Sequence, residues 1–529
     1  MPQAFDPQRS YDALVVGSGA TGAVAAHTLA QQGLAVLVLE AGRDQGPGAA
    51  LGSEPLNSLR RLAQLSAGSQ RLQSQHPGYW KNNPNLYVDE GQHPYSTPAD
   101  QPFLWTRGRQ VGGRSLSWGG ITLRLSDQEF GQGWPLTHQD LAPHYGALER
   151  QLGVWGQRDQ LELLPDGEFE PPAPFTPAER HLAQVCGQLD LPFIHSRGFA
   201  RHRPASDGPW PRFSAQGGAL AWALASGRVT LRSNSLVSQL LFSPDQSRVE
   251  GVLFIDRLSG QEQRARAQMV VLCASTVESL RLLLLSRDDR LSGGLIEPSG
   301  LLGQGLMDHV SVARFFALPD QAPAPAGTGL SGAESVFIPN TGEGYGLWGA
   351  AQRFEPPALL RRDPAAAVGF LIGHGEVQPQ ASNRVGLAPT LCDAWGIPAP
   401  HIAMAWGPAE QALVGQMLGR ISSVVAAAGG VVRPLEDLFR LPLIEPWLRA
   451  SVAGSQAVAP PGYYIHELGG APMGSDPSRS VLDRWNRLWT CPNLLVTDGA
   501  SWPSSGWQSP TLTSMALTRR ACLRAAAGR

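Results

Sequence analysis

Three short stretches hold residues whose types and spacing can do chemistry. The first is "GSGATG" at 17–22, with Glu40 closing the next apolar run, "AVLVLE". There Gly17 permits a tight turn, Gly19 lets a backbone approach a pyrophosphate, and Gly22 lets a helix pack closely on a strand. Glu40 falls where a carboxylate can accept hydrogen bonds from a ribose; an ordinary glycine-rich turn explains the glycines but not this acid. The second stretch is "YYIHELGGAPMGSD", in which His466 stands between apolar residues and paired glycines with no neighbouring metal ligand. An imidazole with an unperturbed pKa near 6.5 can take a hydroxyl proton at neutral pH; the plainer alternative is a hydrogen-bonded core histidine. The third is "SPTLTSMALTRRACLRAAAG", where Ser509 reads as a helix N-cap and Pro510 as the first helical residue. Such a helix start carries roughly half a positive charge and favours anions.

Elements of the right kind surround these residues. "ALVV", the glycine turn, "AVAAHTLAQQG" and "AVLVLE" give β–turn–α–β within about thirty residues, the dinucleotide-binding unit. "AQMVVLCASTVESLRLLLLS" repeats the theme of buried strand, turn of small residues and helix. Residues 229–242 and 249–256 alternate as strands of a hairpin or meander. The segment 51–104, rich in Pro, Gly, Asn and Gln, reads as a long excursion with short helices. The Pro/Gly/Ala stretch 318–332 marks a boundary. Beyond it "ESVFIP", "GLWGAAQRF", "AVGFLIG" and "HIAMAWG" read as strands and "PAEQALVGQMLGRISSVVAAAG" as a helix. The fold class is therefore α/β (α+β overall), a Rossmann-like domain with an inserted domain built on an antiparallel sheet backed by helices.

Composition bounds the function. The chain has 529 residues, 42% of them hydrophobic and 16% charged, enough for two or more domains and a large core. A net charge of −2 gives no electrostatic reason to expect nucleic acid or a membrane surface. Lys81 is the only lysine, which removes Schiff-base and Walker-type lysine chemistry elsewhere in the chain. Five scattered cysteines, odd in number and never in a CxxC pair, argue against a disulfide framework, a zinc site or c-type haem. No apolar run reaches the roughly 18–20 residues of a membrane span. Arg9 before an apolar stretch ending "AVAA" imitates a cleavable signal, but that stretch runs into the second strand, so a cytoplasmic protein is expected.

"GSGATG", "RGRQVGGRSLSWGG" and "HELGGAPMG", with the closing "TDGASWPSSGWQSPTLT", resemble the glucose–methanol–choline family of flavoenzymes over essentially the whole chain. "LGQGLMDH" and "NRVGLAPTLCDAWGIPAPHI" are similar to its gluconate- and sugar-oxidising flavoprotein branch. The resemblance implies FAD, with Glu40 on the adenosine ribose and Val237 meeting the adenine through its backbone. It runs the 111–120 loop (Val111, Gly112, Gly113, Ser115, Ser117, Trp118 and Gly119) along the pyrophosphate and isoalloxazine. It sets Asp498 and Gly499 at the ribityl–phosphate region, with Ala20, Thr21, Ala41, Ala274, Ser275, Pro510 and Thr511 among the cofactor contacts. His466 becomes the catalytic base. Ser509 stands where relatives carry an Asn or second His, and Ser117 where flavin-tethering members carry the linking histidine, which implies noncovalent FAD.

The implied activity is hydride transfer from the CH–OH group of a sugar, sugar acid or other alcohol to the flavin, with electrons leaving to oxygen, a soluble acceptor or a separate subunit. A flavin-binding protein of this fold without redox turnover, a lyase or an inactive partner subunit, is the rival. The expected organisation is an FAD-binding domain at 1–310 with excursions at 51–104 and 131–215, a substrate domain at 311–455, and a return to the cofactor domain at 456–529. His309 reads as structural. His374 and His401 could line the substrate cavity or cap strands, and Trp502 and Trp507 pack rather than stack on substrate.

Overall fold

The computed structural model describes residues 5–287, 294–354, 360–440, 449–450, 453 and 458–528. Ala13–Val16 is buried along its whole length, as the central strand of a parallel sheet must be. Val36–Leu39 and Val270–Leu272 flank it; Val229–Arg232 and Leu494–Val496 close the two edges of a five-stranded sheet, all pairs parallel. Gly17 follows the first strand at φ +94°, and a Cβ there would overlap the carbonyl oxygen of Cys273, so only glycine fits. Helix Ala20–Gln31 then packs back on the sheet, close enough that a Cβ at Gly22 would strike the Gly17 carbonyl.

The 229–256 region divides differently from a single hairpin or meander. Val229–Arg232 joins the parallel sheet, Asn234 turns the chain at φ +52°, and Ser235–Phe242 with Val249–Asp256 forms the antiparallel hairpin of a separate four-stranded sheet. An Asn tolerates the left-handed conformation better than most residues, which is how one apolar run serves two sheets.

The third layer is a six-stranded antiparallel sheet in the order Val431–Val432, Val310–Leu318, Ala367–Gly375, Tyr345–Ala351, Val336–Ile338, Ile194–His195. Helix Pro408–Ala427 covers one face with Met417, Ile421 and Val424, and a Cβ at Gly373 would collide with Met417. "HIAMAWG" lies outside this sheet: Pro398–Ala403 pairs with Arg384–Cys392 in a two-stranded ribbon. The excursion after residue 46 forms helices Pro47–Leu51, Glu54–Ser66 and Pro77–Lys81. Buried Arg61 ties the second to the third, donating to the Tyr79 carbonyl at 3.2 Å and the Asn82 carbonyl at 2.9 Å. Among the described residues no helix is long and apolar enough to cross a membrane.

Candidate active site

A cavity of about 730 Å³ lies where the parallel strands end. Val16, Leu39, Cys273 and Asp498, each at or just after the carboxyl end of a strand, line it, which is the ligand crevice of an open α/β sheet. Its residues suit a dinucleotide. Helix Ala20–Gln31 opens onto the cavity from Gly19 with no side-chain cap, and a Cβ at Gly19 would meet nothing within 4 Å. The last helix, Thr511–Ala527, opens onto the same cavity and is also uncapped by any side chain. Two sets of unpaired N–H groups at positive helix ends favour an anion. Thr106 Oγ1, Arg109 Nη1 and Trp118 Nε1 also line the cavity, buried and without a partner among the described residues. Buried polar groups left this way call for a bound molecule.

Most of the residues expected at the cofactor line this cavity: Gly17, Gly19, Ala20, Thr21, Glu40, Ala41, Gly113, Ser115, Ser117, Trp118, Gly119, Val237, Ala274, Ser275, Asp498, Gly499, Pro510 and Thr511. Gly22, Val111 and Gly112 do not. Gly22 is spent on helix–strand packing, Val111 is buried in the core, and Gly112 takes φ +84° to turn the loop, its N–H donating to Ser18 Oγ at 3.0 Å. Six residues of the 51–104 excursion, His76, Pro77, Gly78, Lys81, Asn82 and Tyr87, reach the cavity although nothing in their spacing announced it. Trp502 and Trp507 are fully buried and serve packing. His401 bonds Ser96 Oγ at 2.9 Å, outside the cavity.

Glu40 is already well held. It accepts from the Ser18 N–H at 3.0 Å, the Ser18 hydroxyl at 2.7 Å and the Gly42 N–H at 2.8 Å. These bonds fix the carboxylate at the cavity wall with lone pairs to spare for a ribose. Glu40→Ala is expected to weaken dinucleotide retention roughly ten- to hundredfold, since a hydrogen bond to a charged acceptor contributes about 1.5–3 kcal/mol. Flavin occupancy after gel filtration checks this; occupancy equal to the parent, with an unchanged circular-dichroism spectrum, would remove Glu40 from the cofactor site.

His466 sits at the far end of the cavity, and its ring geometry fixes its chemistry. His309 Nε2 lies 2.9 Å from the Gly506 carbonyl and His309 Nδ1 lies 2.6 Å from His466 Nδ1. A carbonyl only accepts, so His309 carries its proton on Nε2. Burial holds the His309 pKa down at about 4, so the ring is neutral at pH 7 and its Nδ1 is an acceptor. His466 must then donate from Nδ1, which leaves Nε2 as a bare lone pair on a ring that lines the cavity. Burial first, and then His309, His374 and Arg114, lower the His466 pKa well below 6.5, so the free base persists at neutral pH. His309, read from sequence as structural, is thus in direct contact with the candidate base. Nothing in "MDHV" shows that contact, because it joins residues 157 positions apart.

The backbone at this point is strained and braced. Ile465, a β-branched residue, takes φ +64°, a conformation costing on the order of 1–3 kcal/mol. The carboxylate of fully buried Asp308 spans the turn, accepting the N–H of Gly462 and of His466, both at 2.9 Å. Arg114 adds a bond to the Ile465 carbonyl at 3.4 Å and an ion pair with Glu467 at 2.9 Å. His374 lies one ring further back, hydrogen-bonded through Nε2 to the Tyr464 hydroxyl. Ser509 differs from the sequence expectation. Pro510 caps the last helix, with Ser514 N–H bonding the Pro510 carbonyl at 2.9 Å, and Ser509 makes no capping bond. The proline's fixed φ already suits the helix edge, which frees the Ser509 hydroxyl to face the cavity.

Residues 379–518 match the family model described as GMC oxidoreductase, and residues 15–74 match that of the NAD(P)-binding Rossmann-like domain. Over 97% of this chain and 97% of its own length, the fructose dehydrogenase large subunit of Gluconobacter japonicus is 24% identical. The chain carries a C-terminal region of the glucose–methanol–choline oxidoreductases and resembles such enzymes along nearly its whole length. Paromamine 6'-oxidase of Streptomyces fradiae is another relative, 28% identical over 99% of this chain and 92% of its own. The fold is that of pyridoxine 4-oxidase from Mesorbium loti, with a TM-score of 0.64, 19% identity, and coverage of 97% and 98% of the two chains. These likenesses make the chain an enzyme, and with the dinucleotide-binding domain they imply a flavin.

Proposed function

We propose that this enzyme holds FAD noncovalently and oxidises the CH–OH group of a sugar, sugar acid or other alcohol, with His466 as general base. The observation that carries this reading is the His466 ring on the cavity wall with its Nδ1 2.6 Å from His309 Nδ1, a pairing that leaves Nε2 as the nitrogen free for substrate. Bound FAD supplies the acceptor for the hydride that leaves the carbinol carbon. The protein's own groups do the rest. Nε2 takes the hydroxyl proton, the Ser509 hydroxyl supplies a second hydrogen-bond partner for the reacting oxygen, and the Asp308 clasp keeps His466 on station. The last helix turns its positive end towards the cavity, where it stabilises negative charge. A separate electron-accepting subunit suits a relative whose name is that of a large subunit.

Ser117, which lines the cavity at the place where tethering relatives carry histidine, supports noncovalent binding. Acid precipitation should leave the yellow colour in the supernatant; colour in the pellet overturns that part. Anaerobic addition of a panel of alcohols and sugars tests the activity. Bleaching of the oxidised flavin band by any member is the expected result. An unbleached flavin across the whole panel would favour the rival protein without redox turnover.

A further inference from the structure

We infer that the alcohol oxidised here carries an apolar, ring-bearing body rather than a polyhydroxylated one; the inference rests on the reading of the cavity as an alcohol-oxidising site. It comes from the face that the antiparallel sheet turns to the cavity. Strand alternation puts Ser311, Ala313 and Phe315 on that face, and the register places them opposite His374, Ile372 and Phe370. Trp348 stands opposite Ile372 on the next strand. The face therefore starts at the catalytic histidines and runs outward through Ala313, Ile372 and Trp348 to Phe315 and Phe370.

Its outer end is an aromatic cluster. Trp348 meets Phe370 edge-to-face at 5.0 Å between centroids, and Phe354 lies 5.2 Å from Phe370 and 6.4 Å from Phe315. All four rings line the cavity, and Phe315, Trp348 and Phe354 are only half-buried, so they present apolar surface to whatever enters. Among the described residues, this face beyond His374 offers two polar groups. One is the Ser311 hydroxyl, next to the catalytic end; the other is the Trp348 indole N–H, buried and without a partner. Among its described residues, none offers a carboxylate, amide or guanidinium to a sugar.

Physical chemistry sets the preference. A hydroxyl turned against this face gives up water for no acceptor, which weakens binding on the order of tenfold to hundredfold for each group. An aromatic body instead buries its faces and edges against other rings. The lone indole donor suits a single acceptor atom, such as a ring nitrogen or an ether oxygen. When such an alcohol reacts, its O–H proton goes to His466, its carbinol hydride goes to FAD, and the carbonyl product keeps the apolar body.

The test uses the FAD-loaded full chain under anaerobic conditions. Benzyl alcohol, 4-methoxybenzyl alcohol and 2-naphthalenemethanol are compared with glucose, fructose, gluconate and sorbitol. The second-order rate of flavin bleaching should be at least about a hundredfold higher for the aryl alcohols. The reverse order overturns the inference and leaves the alcohol-oxidising reading standing. If neither set bleaches the flavin, that reading falls, and perturbation of the oxidised flavin spectrum then reports binding alone. Aryl alcohols saturating at lower concentration than sugars keeps the apolar site; the opposite order, or no aryl binding, removes it. Trp348→Ala should raise the half-saturating aryl alcohol concentration about tenfold or more with little change in maximal rate. Ile372→Thr, which removes the δ-methyl and puts a hydroxyl in place of the γ-methylene, should shrink the aryl preference, and an undiminished preference in both variants would overturn the assignment.

Discussion

His466→Ala retains its flavin and reduces it about 10²–10⁴ times more slowly than the parent, the range expected when a positioned general base is lost. Stopped-flow absorbance under anaerobic conditions measures the rate, and the flavin-to-protein absorbance ratio shows that the cofactor is still held. The two readouts separate because the residues that suit the dinucleotide (the uncapped helix starts, Glu40 and the 112–119 turn) do not use the imidazole. The pH dependence carries the same signature. A histidine whose pKa lies well below 6.5 stays unprotonated as the pH falls through that value. Flavin reduction in the parent should therefore stay level from about pH 7.5 to pH 6, where a free imidazole would already lose activity. Near-normal reduction in the Ala variant would make His466 a core histidine after all.

The second large effect belongs to His309. His309→Ala removes the acceptor that holds the His466 proton on Nδ1, and the ring is then free to rotate or to present Nε2–H to the substrate. A catalytic imidazole in the wrong tautomer costs roughly 10²–10⁴ in rate. His309→Gln separates positioning from mere bulk. Its amide oxygen can accept from His466 Nδ1–H while its NH₂ donates to the Gly506 carbonyl, so it reproduces both polarities without a titratable group. The Gln variant should recover most of the rate lost in Ala, with flavin content equal in the two. Equal loss in both variants would show that His309 only fills space.

What could be read from the chain and what could not follow different physics. The glycine turn, the two short buried strands and Glu40 were legible because each is a local requirement, with a φ or a close approach that only glycine meets and an acid at a fixed distance along one unit. The strands between 336 and 375 were legible from their apolar runs, whereas Val310–Leu318, which follows "LGQGLMDH", was not read as one. The pairing of His309 with His466 was not, since it depends on where two distant loops dock. The aromatic face was hidden for a related reason. Phe315, Trp348 and Phe370 lie on three strands, and only the register brings them to one side of the sheet. Ser509 misled because a serine before a proline is a good helix start in isolation, whereas here the proline takes the cap itself.

The parallel sheet is completed at one edge by Leu494–Val496, docked on Val270–Leu272, while its centre comes from residues 13–16. On the ribosome, then, nearly five hundred residues must emerge before that edge can be covered, and the wall bearing Asp498 and the last helix arrives with it. Until that moment the nascent chain carries an exposed, wholly apolar edge strand, "VVL", of the kind that recruits other chains. Cofactor capture is for the same reason a late event in the life of the molecule, and chaperone protection matters most in the interval between synthesis of the first strand and of the last.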